Sequence, residues 1–362
     1  MKKIFFLFGF VLMSLTLLGA GCISFTSDKQ TTSGPLGMYV STNKGDTWQT
    51  LNALPKADGV KNISGVDVYR LFTDPGDPDA FYLASRQNGL FYTYDAGNTW
   101  QQPRKMFSGG YIYSLVVHPK NKCTIYITNG TQVYRSDDCL RSFTEVYRES
   151  RSDARIISLA IDFFPPHRLF LAENNGDLLQ SFDTGYSWST VKRFKTRIIQ
   201  ILPSPLTEKL VFLVTKDEGL LRSRDNGETW ENLSGRMKQY SGSLEYRRFL
   251  LHATKPNTLY WVSTYGILRS DDQGDTWTPY ELITPPGSAD IYGFAVNPQN
   301  DNEIYYTATI GTKSTFYRSI DGGKNWVTKK LPSGQIPTIL YPYSNDTNVL
   351  FLGFSVLPSK KK

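Results

Sequence analysis

The sequence has few of the residues that build metal sites and nucleophilic centres. It contains three histidines and three cysteines in 362 residues. His118, His167 and His252 stand far apart, without the spacing typical of metal ligands. We also find no Gly-rich phosphate loop and no helix-borne nucleophile motif. We therefore predict no metal, no cofactor and no catalytic residue.

Long hydrophobic runs are also missing, apart from one near the N-terminus. Two lysines precede the apolar run 4–18, and small residues then lead into Cys22. The run is short for a membrane span, and its layout predicts a signal peptide over residues 1–21. The cysteine after the small residues resembles the bacterial lipobox, although Gly19 stands where that motif has an aliphatic residue. The resemblance implies a lipid on Cys22, and ordinary cleavage near Cys22 is the alternative.

The two ends of the chain differ in composition from the rest. Residues 23–35 are polar and rich in Ser and Thr, so we expect 22–35 to be a flexible tether behind the lipid anchor. Residues 358–362 form a basic tail. These features predict an exported protein, anchored to the outer face of the cytoplasmic membrane or to the outer membrane. The net charge of +7 suits an anionic partner, a membrane surface or merely a solvated basic face.

One eight-residue pattern recurs seven times: Ser or Thr, any residue, Asp, any residue, Gly, any residue, Thr or Ser, Trp. The copies begin at Ser41, Thr93, Ser136, Ser181, Ser223, Ser270 and Ser319. Successive copies are 42 to 52 residues apart, a period that fits one four-stranded propeller blade. In such a turn Asp and Ser can satisfy backbone amides, Gly can take a positive φ, and Trp can fill the apolar seam.

These motifs resemble the Asp-box, or bacterial neuraminidase repeat. They predict structural roles for the boxes' acidic and indole side chains: Asp95, Asp138, Asp183, Asp225, Asp272, Asp321, Trp48, Trp100, Trp188, Trp230, Trp277 and Trp326. Among families with this repeat, the chain is most similar to the photosystem II stability and assembly factors. The resemblance implies an all-β fold, a seven-bladed β-propeller of four-stranded antiparallel blades.

The ends of the repeat array predict how the propeller closes. The first box lacks the two strands that should precede it, and segment 336–356 supplies two strands without a box. Pairing them makes one composite blade from both termini, which removes the open sheet edges. We therefore expect residues 36–357 to form one domain of seven blades.

The third box is degenerate, since Leu140 replaces Gly and Phe143 replaces Trp. Cys139 lies in this box, and Cys123 opens the strand that pairs with the box's own strand across a hairpin. Both thiols then lie at the same end of one hairpin. We predict a disulfide between Cys123 and Cys139, with two buried free thiols as the alternative.

Arg and Tyr recur at the propeller face opposite the boxes, where loops enter each inner strand or join the second strand to the third. The residues in these loops include 69–70, 111–113, Arg155, Arg197, 246–248, Tyr265 and Tyr292. Arg and Tyr are favoured at protein-recognition hot spots. From them we select these binding candidates: Arg70, Tyr113, Arg155, Arg197, Arg247 and Tyr265. The alternative is that the tyrosines pack between blades and the arginines are solvated.

The resemblance implies a non-enzymatic scaffold, a monomer that binds a membrane or envelope protein and not nucleic acid. The alternative is a glycan-binding or glycoside-hydrolysing surface lipoprotein. Sialidases carry an early Arg-Ile-Pro motif, whereas the one Ile-Pro here is Ile336-Pro337, preceded by Gln335. Glycoside hydrolysis needs two carboxylates across a cleft. Asp67, Asp162, Glu173 and Asp290 could point inward, but no spacing selects a pair.

Overall fold

A computed structural model describes residues 32–356 of the chain. The predicted signal peptide, Cys22, the first part of the tether and the basic tail lie outside this range. Within it, strands follow one another with a single 3-10 helix at Ser234–Met237. Among these residues, no helix has the length and apolar character needed to span a bilayer.

The strands follow the chain in this order: β1 (Gly37–Ser41), β2 (Gln49–Thr50), β3 (Ala53–Lys56), β4 (Gly59–Asn62), β5 (Arg70–Asp74), β6 (Asp77–Ala84), β7 (Leu90–Thr93), β8 (Ser114–His118), β9 (Asn121–Thr128), β10 (Gln132–Ser136), β11 (Thr144–Arg148), β12 (Ile156–Ile161), β13 (Leu169–Glu173), β14 (Asp177–Ser181), β15 (Ser189–Arg193), β16 (Ile198–Pro203), β17 (Val211–Thr215), β18 (Gly219–Ser223), β19 (Glu231–Asn232), β20 (Tyr246–Leu251), β21 (Leu259–Ser263), β22 (Ile267–Ser270), β23 (Thr278–Pro279), β24 (Asp290–Asn297), β25 (Asn300–Ile310), β26 (Lys313–Ser319), β27 (Val327–Lys329), β28 (Ile336–Pro342) and β29 (Leu350–Ser355).

These strands form seven antiparallel blades, as the repeats predict. Blade 1 is β5–β7, and blades 2 to 6 are the successive groups of four strands from β8 to β27. The first strands lie around the axis, where β5 contacts β8 and β28, and β12 contacts β8 and β16. Middle strands are buried between neighbouring blades and outer strands are not: every residue of β17 is buried, and every residue of β15 is exposed.

Blade 7 is the predicted composite blade. Its strand order is β2-β1-β29-β28, so the C-terminal segment supplies the inner pair and the N-terminal segment the outer pair. Strand β1 pairs with β29 over five residues, from Gly37 opposite Phe354 to Ser41 opposite Leu350. Backbone hydrogen bonds therefore join the two ends of the described chain and close the ring.

Blade 1 departs from the predicted four strands. Its outer edge is covered by the irregular segment 101–110, which forms two isolated bridges, Gln101 to Tyr92 and Gly110 to Asn88, in place of a fourth strand. The amide of Leu90 still donates to the carbonyl of Phe107, at 2.8 Å. Pro103 and the glycines at 109–110 make this segment a poor strand, because Pro cannot donate to a ladder and Gly weakens one. The hairpin β3–β4 lies just before blade 1 in the chain and pairs with itself.

A side chain directly before the box joins four blades to the next blade. Each such side chain donates to the backbone carbonyl of the fourth box residue in the following blade, and the pairs are Arg135–Thr184, Gln180–Asn226, Arg222–Gln273 and Arg318–Lys44. The last pair links blade 6 to the N-terminal half of blade 7. We call these four side chains the pre-box clamps. Sequence reasoning missed them, although an Arg before the box's first Ser recurs in the sequence.

Candidate functional site

The boxes occupy the turns between the third and fourth strands, at what we call the box end of the propeller. In blade 3, Ser181 Oγ accepts the amide of Gly185 at 2.8 Å and donates to Asp183 at 2.8 Å. Asp183 in turn accepts the amide of Ser187 at 2.9 Å and its hydroxyl at 2.6 Å. The box thus satisfies its own polar groups inside one turn.

The other predicted box aspartates make the same contacts with the residue four places on. Asp95, Asp138, Asp225 and Asp272 accept a hydroxyl proton there, and Asp321 accepts from the side-chain amide of Asn325. These hydrogen bonds favour the ionised form and hold the pKa of Asp138, Asp183 and Asp321 at about 2. Within residues 32–356, no group of His, Cys, Asp or Glu has an arrangement that could hold a metal ion.

The degenerate third box keeps the turn geometry. Cys139 and Leu140 have φ of 57° and 68°, where other boxes place glycine at the second of these positions. A left-handed residue with a Cβ costs about 1–2 kcal/mol. The Leu140 amide still donates to Ser136 Oγ, at 2.9 Å. Cys139 is disulfide-bonded to Cys123 across the hairpin, and this bond constrains the weakened turn.

The box tryptophans lie in the seams between blades. The indole groups of Trp100 and Trp326 donate to carbonyls of the preceding blade's segment, those of Leu51 and Glu281. Those of Trp188, Trp230 and Trp277 donate to the Gly carbonyl of their own box. Trp48 packs edge-on against Phe316 of blade 6 at 5.6 Å. In the third box, Phe143 packs against Phe107 at 5.0 Å instead.

The six binding candidates all lie at the opposite end, which we call the loop end, but the structure does not bring them together. Arg155 donates to the carbonyls of Ser152 and Ala154 in its own loop. Arg197 is exposed. Arg247 forms an exposed ion pair with Asp290 at 2.9 Å. Tyr113 and Tyr265 are half-buried beside other tyrosines, Tyr111 and Tyr240.

Arg70 instead points across the propeller axis. Its guanidinium donates to the carbonyls of Tyr113 in blade 2, at 3.0 Å, and Ile157 in blade 3, at 3.4 Å. Arg248 does the same on the other side of the ring, donating to the carbonyls of Tyr292 in blade 6 and Thr338 in blade 7. Each arginine therefore spans the two blades that follow its own.

Bulges in the inner strands explain these contacts. The register shifts between Ile156 and Ser158, between Ile291 and Phe294, and between Pro337 and Ile339. A bulge leaves one residue out of the ladder, so its carbonyl is free to accept another donor. Arg248 lies within the segment 246–248 that the sequence places at this end, but the predicted binding residue there is its neighbour Arg247. One feature of the sequence could have identified this pair. Arg70 and Arg248 hold the same position in their inner strands, each directly before two apolar residues.

Tyr69 and Tyr246 complete what we call the axial arginine cluster, together with Arg70 and Arg248. Among residues 32–356, neither arginine forms an ion pair with a carboxylate. Burial lowers the pKa of Arg248, and repulsion from Arg70 lowers it further. The pKa of Tyr246 is raised by burial, against the opposing effect of both arginines. Positive charge therefore accumulates at the axis without a matching acid from the described part of the chain.

Tyr69 extends the cluster outward. Arg86 lies over its ring at 4.5 Å and Arg70 at 5.2 Å, within the range of cation–π interactions. Burial opposes ionisation of Tyr69, but Arg70, Tyr111 and Arg86 together lower its pKa. Arg86 is neutralised by Asp67 at 2.7 Å. Among these three arginines, Arg70 and Arg248 are therefore the two without a carboxylate partner within residues 32–356.

The four acids considered for glycoside hydrolysis each face an arginine. The pairs are Asp67–Arg86, Asp162–Arg168, Glu173–Arg151 and Asp290–Arg247. A glycosidase acid and its partner carboxylate must face a substrate across about 5–9.5 Å. In this structure these four carboxylates are engaged as ion-pair partners of those arginines.

A family model described as "Sortilin, neurotensin receptor 3" matches residues 37–160 and 176–266, more than half of the chain. A probable oligoxyloglucan-reducing end-specific xyloglucanase of Neosartorya fischeri is 27% identical over 255 residues, covering 66% of this chain and 26% of that protein. A xyloglucanase of a Paenibacillus species is 25% identical over 299 residues, covering 73% and 26%. The chain thus spans about a quarter of the length of these relatives.

Solved structures share the fold. A GH74 xyloglucanase from Xanthomonas campestris has a TM-score of 0.63 at 17% identity, over 80% of this chain and 51% of that one. YCF48 from Cyanidioschyzon merolae has a TM-score of 0.58 at 14% identity, over 80% and 95%. YCF48 bound to D1 peptide has a TM-score of 0.56 at 16% identity, over 82% and 94%.

Proposed function

This chain belongs to the Sortilin-Vps10 family, and from that premise we propose that it is an exported, non-enzymatic scaffold that binds a protein client at the loop end of its propeller. The predicted signal peptide and lipid on Cys22 would hold it at a membrane surface. The carrying observation is the axial arginine cluster, whose two arginines lack carboxylate partners among residues 32–356.

The positive charge of the axial arginine cluster indicates what kind of client would bind there. Buried or half-buried charges are stabilised by a partner of opposite sign, and a partner that supplies it gains both attraction and hydrogen bonds. Arg70 and Arg248 are held in place by backbone carbonyls, so little side-chain entropy is lost when a ligand binds. Tyr69 and Tyr246 add contact area beside them. We therefore expect the client to present an acidic segment to the axis.

A neighbour of the same fold supports a peptide-binding role, since one solved structure is of YCF48 bound to D1 peptide. That structure is 16% identical to this chain, so the similarity extends to the fold and the client is a matter for experiment. The exposed candidates Arg197 and Arg247 lie at the same loop end, where they would contribute to the rim of the same surface.

The test is affinity capture from detergent-solubilised membranes with the full chain. We compare wild type, the double variant Arg70→Met/Arg248→Met, and a control that removes two exposed charges of the box end, Arg224→Met/Lys324→Met. Loss of a hydrogen-bonded charge contact at an interface costs roughly tenfold or more in affinity. A client bound by wild type and control should be lost from the axial variant. Equal retention of every client by all three proteins would rule out this surface.

The alternative is a glycan-active protein, which the xyloglucanase relatives support. It predicts that the purified chain hydrolyses or binds xyloglucan oligosaccharides. Since Asp67, Asp162, Glu173 and Asp290 are all paired with arginines, we expect no turnover. Hydrolysis that disappears on changing one carboxylate, such as Asp67→Asn, and survives Arg70→Met/Arg248→Met would favour the glycosidase over the scaffold.

A further inference from the structure

A second group of buried charges lies at the loop end between blades 2 and 3. Glu149, Glu173 and Asp177 are 8%, 0% and 6% exposed. They come from three elements: the loop after β11, the end of β13 and the start of β14. Acidic residues are seldom buried unless they are paired. Three carboxyl groups at one point therefore need an explanation.

Arg151 holds the three acids together. Its Nε and Nη2 donate to the two oxygens of Glu149, both at 2.9 Å. Its Nη1 donates to Asp177 at 2.6 Å, and its Nη2 also donates to Glu173. The Arg151 backbone amide donates to Glu149 as well, at 2.7 Å. One guanidinium thus fixes the conformation of segment 149–155, which leads from β11 into β12.

The positive charge falls short of the negative charge. The ionisable groups that face Glu173 or its partners are Glu149, Asp177, Arg151, Arg193 and Tyr147. Arg193 lies 3.4 Å from Asp177, but its side chain is 74% exposed. The Tyr147 hydroxyl donates to Glu149 at 3.1 Å. Three ionised acids would leave the buried cluster with excess negative charge.

Among the three acids, Glu173 has the highest free-energy cost of ionisation. Its Oε1 is buried and receives no hydrogen bond from residues 32–356. Arg151 Nη2 donates to both Glu149 and Glu173, so the two carboxyl groups lie side by side around one nitrogen. A proton on Glu173 gives it an O–H donor, which an ionised carboxyl group lacks. Burial and Glu149 raise the pKa of Glu173 to about 8, whereas Arg151 holds the pKa of Glu149 below its usual range.

We propose that Glu149, Glu173 and Arg151 form a proton-operated latch, which keeps segment 149–155 closed while Glu173 is protonated and releases it when Glu173 ionises. The segment ends at Arg155, whose backbone amide donates to Asn174 at 2.7 Å, so release also frees the loop between β13 and β14. That the latch controls client binding at the loop end rests on the function proposed above.

The direction of the pH dependence follows from proton counting. In the closed state Glu173 keeps its proton up to about pH 8, whereas a solvated Glu in the open state loses it near pH 4.3. The closed state binds the extra proton between these values, so opening becomes easier as pH rises through that window. The opening equilibrium should shift by up to about tenfold per pH unit and level off above pH 8.

Hydrogen exchange on the full chain tests the latch without any client. We measure protection factors of the backbone amides in segment 149–156 at pH 5.5, 6.5 and 7.5, corrected for intrinsic exchange. Wild-type protection should fall by roughly 100-fold across this range at the limit set by a single proton. In Glu173→Gln, whose side chain stays neutral, protection should be high and should vary by less than about threefold. The matched control Glu145→Gln, in neighbouring β11, should keep the wild-type slope.

Two results would overturn the latch: wild-type protection that does not change with pH, or an equal slope in Glu173→Gln. If Glu173→Gln fails to fold, the carbon-13 titration of Glu carboxyls in the wild type decides instead. Titration of Glu173 near the ordinary value of about 4.3 would contradict the latch. Client capture at pH 5.5 and 7.5 separates the two proposals. A pH-dependent segment with no client sensitive to Arg70→Met/Arg248→Met supports the latch and rejects the scaffold.

Discussion

The box end and the loop end of this propeller use polar side chains in opposite ways. At the box end, each Asp accepts hydrogen bonds from its own turn, and the pre-box clamps reach carbonyls of the next blade. At the loop end, Arg70 and Arg248 lie at the axis without a carboxylate partner among the residues that the structure describes, and three buried acids share Arg151. The box end thus pairs its charged groups within a turn or with the next blade. The loop end leaves charge that a proton or a binding partner would balance.

At the box end, we expect the largest loss of stability from removing a buried pre-box clamp. The Arg222 side chain is 1% exposed and pairs with Glu231 and Asp275 across blades 4 and 5. Arg222→Met removes the hydrogen bonds of a buried guanidinium to both acids, which keep Arg236 as a donor, and leaves the Gln273 carbonyl without the donation from Arg222, so we expect a loss of about 3 kcal/mol in the free energy of unfolding. Chemical denaturation measures it. The neighbouring Arg224, 54% exposed, is the control, and Arg224→Met should cost less than about 0.5 kcal/mol. Equal losses would show that the clamp is not a stabilising device.

Removing the disulfide tests how the degenerate third box differs from the regular boxes. Cys123 and Cys139 are 16 residues apart, and a closed loop of that length is worth roughly 3 kcal/mol in the chain-entropy model. The Cys123→Ala/Cys139→Ala variant should lose about that amount in chemical denaturation, and a reducing agent should destabilise wild type but not the variant. A non-reducing peptide map should link the two cysteines. Free thiols in that map would contradict the pairing.

A single box carboxylate should matter less. Asp272→Ala removes the acceptor for the Thr276 amide and hydroxyl, and we expect a loss of about 1–2 kcal/mol in denaturation experiments. Asp272→Asn should recover most of this, because Asn43 already fills the same position in the first box and accepts the Thr47 amide. Identical losses in the two variants would mean that the charge, rather than the acceptor, stabilises the turn.

The two ends should respond to pH with opposite signs. Box aspartates have a lowered pKa, about 2 for Asp138, Asp183 and Asp321, so their stabilisation is present above pH 4 and lost as pH falls toward 2. Glu173 has a raised pKa, about 8, so its stabilisation is present at pH 4 and lost as pH rises through 8. Melting temperatures measured from pH 2 to 9 should fall on both sides of a maximum near pH 4–5. Glu173→Gln should flatten the alkaline side alone.

The box repeats allowed most of the fold to be predicted, because the residues of each box form a turn through contacts with one another. The seven blades followed from the number and spacing of the boxes together with the family resemblance that they carry, and the composite closure followed from the incomplete strand sets at the two ends of the array. The three-stranded blade 1 did not, since no box residue reports what covers the outer edge of β7. The candidate site was predicted less well. Six residues were selected at the loop end, and Arg70 alone among them donates across the axis.

Local chemistry by itself determined the repeat, the turn at each box and the hairpin order of strands within blades 1 to 6, because those depend on residues close together in the sequence. Only the tertiary structure decided which arginines meet at the axis and which acids share Arg151. Arg70 contacts Tyr113 and Ile157, 43 and 87 positions away, and Arg248 contacts Thr338, 90 positions away. Whether a charge is matched depends on the blade that comes next, and ring closure sets that neighbour.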